Sequence, residues 1–442
     1  MFMRERQSMT FALLSLWTFF LIGRPQDLIA GLEALRPAMI LAALTFLGVA
    51  FQFSQNHLDH SGLRTPEARR YFIFFGIVII GIPFAYHRGE AFKFIFSAYL
   101  INVMFFVALV TLVDSVEKLK RILSVILFCT AFYGVFGLLM GTFSGGRFTI
   151  YGGMFDANDT AYLLLTLSPL SLFFLIRREG KLKKIVASVA IGASVIIILL
   201  TGSRGGLLGL GVVFLLSSFS STISVRTPYK IGFLIMIVTI AALNLDMINV
   251  DRYLTLTDIG QDYNLTSETG RLGIWTQGFQ LLLANPLTGV GVQCFPMAIG
   301  YLRADANSIP EWQATHNSFL QVAVETGFVG FLIFLSLISI SIRNFSRCRS
   351  FKPVGSIDNN LDELMVVAGL LQLAFIGHLV AAFFLSQGYS LFFALFFALS
   401  AVLRRLTNAS DEAKDHPVHP VFKPYKVSTE YGQAYRRKAS AA

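Results

Sequence analysis

Apolar runs recur along the chain from Phe11 to Leu403, each closed by a short polar or charged stretch. They predict helices over 10–22, 37–52, 71–86, 91–112, 122–140, 160–176, 185–200, 205–219, 229–245, 318–341, 363–385 and 388–403. A helix rises ~1.5 Å per residue, so runs of this kind suit a hydrocarbon layer ~30 Å thick. The segment 71–86 (YFIFFGIVIIGIPFAY) shows no wet face, which an outer helix of a soluble domain would need. Two stretches break the pattern of short connections: 246–315 and the polar end 404–442. Loops beyond ~12–15 residues are usually functional or disordered. Inside the first, 271–283 (RLGIWTQGFQLLL) predicts one more helix, suited to lie in an interface with its apolar side down. Asn285-Pro286 ends it, and the glycines of GVG at 289–291 supply a flexible bend. The pattern therefore predicts an all-α polytopic membrane protein of about twelve transmembrane helices. Its membrane domain is 1–403, including the loop 246–315, and 404–442 is a basic tail.

Composition agrees: 55% of the 442 residues are hydrophobic and 14% charged, against roughly 25% charged in soluble domains. The charge distribution sets an orientation. With the N-terminus inside, only Arg24, Arg36, Arg88, Lys93, Arg147, Arg204, Arg252, Arg271 and Arg303 of the 36 basic residues fall outside. Both termini are then cytoplasmic, and the long loop lies on the outer face. The net charge of +10 is concentrated where anionic inner-leaflet lipids would meet it. No alternation of aromatic and basic residues suggests a nucleic-acid groove. Arg4 and Arg6 before an apolar run resemble a signal peptide, but GRPQDLIAGLEALRP lacks a small-residue cleavage pattern and predicts a retained span. The three cysteines, Cys129, Cys294 and Cys348, suggest no disulfide framework. The absence of an internal repeat weighs against transporters built from inverted repeats.

A few residues stand out against this apolar background. Arg204 sits between two apolar runs in VIIILLTGSRGGLLGLGVVFLL. It either snorkels from a tight turn or marks a functional site. Gly202, Gly205 and Gly206 permit close approach to a ligand, and Ser203 with the following helix start suits an anion. Arg271 opens the loop helix, the wrong end for the dipole; it pairs with Glu268 or directs its donors at a phosphate or carboxylate. His316 stands where the loop enters the span at 318, with Thr315 or Asn317 as the helix cap. It is an interfacial polar residue or, as a neutral imidazole, a proton acceptor. Glu325 lies on a different helical face, whereas Gln321 is a candidate lining donor. In SGGRFTIYGGMFDANDTAY, at 144–162, Arg147 is a third candidate anion contact. Asn158 or Asp159 caps the next span or contacts substrate. In the outer loops no HxxH, HExxH or DxD spacing points to a metal, and no cofactor is expected.

These patches resemble the O-antigen ligase and polymerase family of bacterial membrane enzymes. The resemblance rests on TGSRGG at 201–206, RLGIW at 271–275, NPLTGVG at 285–291, HNSFLQVAVETGFVG at 316–330 and GGMFDANDTA at 152–161. It departs from relatives at Ala157, where they often carry proline, and in its long C-terminal tail. The resemblance implies a GT-C-like architecture, a location in the bacterial inner membrane and a site on the periplasmic face. It implies Arg204, Arg271 and His316 as functional residues; Arg147, Asn158, Asp159, Ser203 and Gln321 remain substrate-binding candidates from the residues themselves. The donor it implies is a glycan on undecaprenyl diphosphate, transferred without metal and with inversion to a glycan, lipid or protein hydroxyl, alongside membrane lipids and polysaccharide assembly partners. A lipid-linked polysaccharide transporter or flippase and a protein O-glycosyltransferase are the alternatives.

Overall fold

Most apolar runs become helices close to where the pattern places them. The computed structural model describes residues 2–29, 31–55, 60–150, 156–220, 267, 269–305, 312–351 and 359–415. In chain order the principal helices are α1 (Phe2–Ile22), α2 (Pro37–Ser54), α3 (Pro66–Ile80), α4 (Arg88–Leu112, with a π turn at Ile95–Tyr99) and α5 (Val116–Met140). After a small hairpin follow α6 (Ala157–Ile176), α7 (Lys181–Leu200) and α8 (Arg204–Phe219). Then come α9 (Arg271–Ala284), α10 (Phe295–Asp305), α11 (Ser318–Arg349), α12 (Asn359–Ala382) and α13 (Leu391–Asp415).

Among the described residues, 8 helices are long and apolar enough to cross a membrane. They are α2 with the turn before it, α4, α5, α6, α7, α11, α12 and α13. The chain is thus an all-α polytopic membrane protein, and eight of the twelve expected spans are full-length helices among the described residues. The runs at 10–22 and 205–219 form shorter apolar helices, Ser8–Ile22 and Arg204–Phe219. The run at 71–86 is cut at Gly81, where α3 gives way to a 3-10 turn at Ile82–Phe84 carrying Pro83. The run at 229–245 lies outside the described residues, as do most of the loop 246–315 and nearly all of the tail.

Burial ranks the helices. α13, α6 and α12 are interior, with 83%, 78% and 72% of their apolar windows buried, whereas α2 has 22%. Met39, Ile40, Leu44, Leu47 and Phe51 of α2 are exposed, a surface that lipid tails would cover. Lipid is as apolar as leucine, so helix association depends on close fit and internal hydrogen bonds. At Gly209 a Cβ would stand 2.2 Å from Leu165 Cδ2, so glycine there lets α8 lie against α6. Gln52 Nε2 donates to Thr10 Oγ1 at 2.6 Å, and Asn344 Nδ2 donates to the Ser400 carbonyl at 2.7 Å. Fully buried Glu67 receives the Arg404 guanidinium in a fork, Nη2 to Oε1 at 2.8 Å and Nε to Oε2 at 2.9 Å. Arg405 donates to the carbonyls of Val110 and Val113. Both arginines, placed at the head of the tail by the sequence pattern, are structural parts of a unit that runs from Met1 to Thr407. A second unit spans Asn408–Ala442, and its described part is helical to Asp415.

α11 is broken in one place. Gly327 has φ 68° and ψ −176°, a conformation outside any helix. The helix bonds lost there are replaced by the bend at 285–291. Val290 and Gly291 N–H groups donate to the carbonyls of Val324 (2.9 Å) and Glu325 (3.1 Å), and Phe328 N–H donates to the Pro286 carbonyl (2.8 Å). Two of the sequence patches, NPLTGVG and ETGFVG, are therefore the two halves of one backbone splice. Within lipid such a break survives only when other groups satisfy the freed backbone. Gly289 (φ 68°) and Gly291 (φ 94°) make the bend, packed against α11 and Ala85. Another element lies outside the helical pattern: β1 (Thr142–Ser144) and β2 (Arg147–Thr149) pair antiparallel across Gly145-Gly146. Both glycines have positive φ, as a two-residue primed turn requires.

Candidate functional site

The site begins where α7 ends. Gly202, at φ 60°, turns the chain, and Ser203 caps α8 by accepting the Gly206 N–H at 3.2 Å. One of the amide groups expected to face an anion is thereby taken by Ser203 itself. The turn puts Arg204 at the first position of α8. A Cβ at Gly205 would stand 3.0 Å from the Phe384 ring, and one at Gly206 would stand 2.8 Å from Ala161 Cβ. The two glycines thus let the helix start approach α6 and the segment after α12. Arg271 likewise occupies the first position of α9, after Gly270, and its guanidinium lies over the Phe384 ring at 5.9 Å.

These two arginines, distant in sequence, line one pocket with Asn158, Ser203, Gly205, Gly206, Ala381, Phe384 and Leu385. Each stands at a helix N-terminus, where the dipole is already positive. Two cationic side chains and two helix starts around one hollow favour an anion there. A phosphate or diphosphate matches both the charge and the guanidinium donor geometry.

Arg147, from β2, acts beside the pocket and is not among its lining residues. Its Nε donates to the Thr201 carbonyl at 3.0 Å, at the C-terminal end of α7, and its Nη2 donates to Asn158 Oδ1 at 2.7 Å. It therefore orients Asn158, which does line the pocket. The N-cap of α6 is Asp156, and not Asn158 or Asp159: its Oδ1 accepts from the Asn158 and Asp159 amides at 2.7 and 2.9 Å. The same carboxylate accepts from Asn158 Nδ2 at 3.3 Å, so the Asn158 side chain lines the pocket held by Asp156 at one end and Arg147 at the other. Asp159 points elsewhere and accepts from Gln387 Nε2 at 2.9 Å.

His316 has a left-handed backbone, φ 47°, uncommon for a residue other than glycine. Asn317 caps α11, its Oδ1 accepting from Phe319 and Leu320 amides at 3.0 Å each. The imidazole is not among the pocket-lining side chains, yet it is electrostatically joined to them. Burial first, and the Arg271 charge next, push its pKa below the usual histidine value, with Asp156 opposing. A ring so placed is neutral at neutral pH and able to take a proton. Buried Gln321 spends its Oε1 on the Gly388 amide at 3.0 Å, so it holds a loop where a lining donor was expected. Glu268, the expected partner of Arg271, lies outside the described residues. Among the described residues no three His, Cys, Asp or Glu side chains gather as a metal site.

One element escaped the sequence reading. The connection 383–390 (FFLSQGYS) between α12 and α13 supplies Phe384 and Leu385 to the pocket. Its Ser386 Oγ accepts the His316 N–H at 2.8 Å, Gln387 reaches Asp159, and Gly388 reaches Gln321. Its signal in the sequence is the polar SQGYS between two apolar runs.

No curated protein matches the chain. Residues 189–335, a stretch that carries Arg204, Arg271, His316 and the Gly327 break, match the family described as O-antigen ligase, and over that part the chain is similar to its members.

Proposed function

We propose that the protein transfers a glycan from an undecaprenyl-diphosphate carrier to an acceptor hydroxyl. The observation that carries this reading is the convergence of Arg204 and Arg271 on one pocket, in a stretch similar to O-antigen ligases. A lipid diphosphate is a good leaving group without protonation, so the protein's main task is to hold its growing negative charge. The two guanidinium groups do that, with Asn158 held ready by Arg147. His316 is the general base: it takes the acceptor hydroxyl proton as that oxygen attacks the anomeric carbon. The bond from that carbon to the diphosphate oxygen breaks on the opposite face, which inverts the carbon. The electron pair leaves with the diphosphate. No metal is needed for these steps. In this reading the chain spans the bacterial inner membrane about twelve times in a GT-C-like arrangement, with its site on the periplasmic face and both termini inside.

The test gives purified protein a lipid-diphosphate oligosaccharide with a hydroxyl acceptor and follows chain growth or transfer. Arg204→Lys and Arg271→Lys each keep the charge and lose the planar fork, and each is expected to lower turnover by ~10²–10³. Wild-type turnover in both variants removes the clamp, and movement of intact glycolipid without transfer removes the enzyme reading.

A further inference from the structure

The left-handed turn at His316 is held by a single peptide unit gripped at both ends. The carbonyl of that unit belongs to Thr315 and accepts from Trp275 Nε1 at 3.0 Å. Its N–H belongs to His316 and donates to Ser386 Oγ at 2.8 Å. Trp275 lies one turn along α9 from Arg271, and its ring packs edge-on against Phe383 at 5.5 Å. Ser386 belongs to a loop that is itself clipped to α11: Gln387 N–H donates to Ser318 Oγ at 2.9 Å, and Ser318 Oγ donates to the Leu385 carbonyl at 2.7 Å. Both grips are therefore anchored in elements that build the pocket.

From this geometry we infer that Trp275 and Ser386 are positioning residues, which clamp the 315–316 peptide and so aim the His316 imidazole at the substrate side of the Arg271 helix. A non-glycine residue in the left-handed region is costly and persists only where its surroundings enforce it. Here the enforcing groups come from α9 and from the 383–390 loop, so the base and the arginine cannot drift apart independently. The inference rests on the reading of His316 as the base. It adds that two side chains outside the pocket lining set the ring's place.

Among the described residues, the charged groups acting on the ring are Arg271 at the start of α9 and Asp156 at the cap of α6. A ring released from the clamp becomes better hydrated and less tightly coupled to Arg271, and both changes favour its protonated form. Ser386→Ala should then lower kcat by about tenfold to hundredfold, leave the KM for lipid diphosphate within twofold (about the scatter expected of an unaltered site), and move the acid limb of the pH profile upward. Ser386→Thr, which restores an acceptor oxygen, should return both quantities towards wild type. Trp275→Phe removes the other donor while keeping an aromatic ring against Phe383, and it should move the limb in the same direction. An acid limb unmoved in both Ser386→Ala and Trp275→Phe overturns the inference, whatever the fall in amplitude. His316→Ala measured alongside separates the two failures. Wild-type turnover in that variant removes the base and this inference together, whereas an inactive His316→Ala beside unmoved limbs removes this inference alone.

Discussion

Replacing Gly327 with alanine should loosen the molecule far more than the loss of two hydrogens suggests. At φ 68° and ψ −176° the backbone occupies a region essentially reserved for glycine, which costs about 1–3 kcal/mol for any other residue. The added Cβ would stand 2.6 Å from the Leu287 carbonyl oxygen, 2.7 Å from its carbon and 2.7 Å from the Pro286 oxygen. These are main-chain atoms of the splice, so no side-chain rotation relieves the contact. Moving the bend away weakens the bonds from Phe328, Val290 and Gly291 that replace the broken helix, each worth ~0.5–1.5 kcal/mol net. With half of that bonding lost, the total is roughly 2–5 kcal/mol, a large share of the ~5–15 kcal/mol typical of folded proteins.

Because large proteins often unfold irreversibly, the measurement is the half-life of transferase activity in detergent at raised temperature. Gly327→Ala should shorten it at least tenfold, as a change of ~1.4 kcal/mol or more in an unfolding barrier would. Gly76→Ala is the comparator. Gly76 lies inside α3 and its Cβ would meet nothing within 4 Å, so alanine there should be neutral or stabilising by ~0.5–1 kcal/mol. Equal half-lives for Gly327→Ala and the wild type would refute the splice as a source of stability.

Asp156→Asn keeps a good helix cap but removes the carboxylate that, among the described residues, favours protonated His316. The imidazole pKa then falls further, so the acid limb of kcat/KM should move to lower pH, opposite in sign to the shift expected for Ser386→Ala; a pH-rate profile reads it. Phe384→Leu takes away the ring beneath Arg271, 5.9 Å from its guanidinium. With a cation–π contact worth ~0.5–2 kcal/mol, the KM for lipid diphosphate should rise several-fold, measured by steady-state kinetics.

The long helices were legible because runs of apolar residues carry their own signal. What blurred the count was local. Gly81 and Pro83 shorten α3, and the Thr201–Ser203 turn splits α7 from α8 so that α8 falls short of a full span. The hairpin at 142–149 was written in Gly145-Gly146 but lay under the helical pattern around it. The cap of α6, Asp156, lies two or three residues before the expected Asn158 or Asp159, because all three side chains are suited to capping.

The pocket divides along a physical line. Arg204 and Arg271 drew notice because each breaks a local rule: a cation between apolar runs, and a cation at the positive end of a helix. A group that must meet a ligand has no reason to satisfy its own neighbours in sequence. Ser386, Gln387 and Trp275 break no rule, since a serine and a glutamine suit a connection and a tryptophan suits an amphipathic helix. Their part is played through bonds to residues 70, 228 and 40 positions away, and no local pattern encodes such separations. Groups that would touch the substrate are thus visible as anomalies in one dimension, whereas the groups that aim them emerge only when the chain is folded.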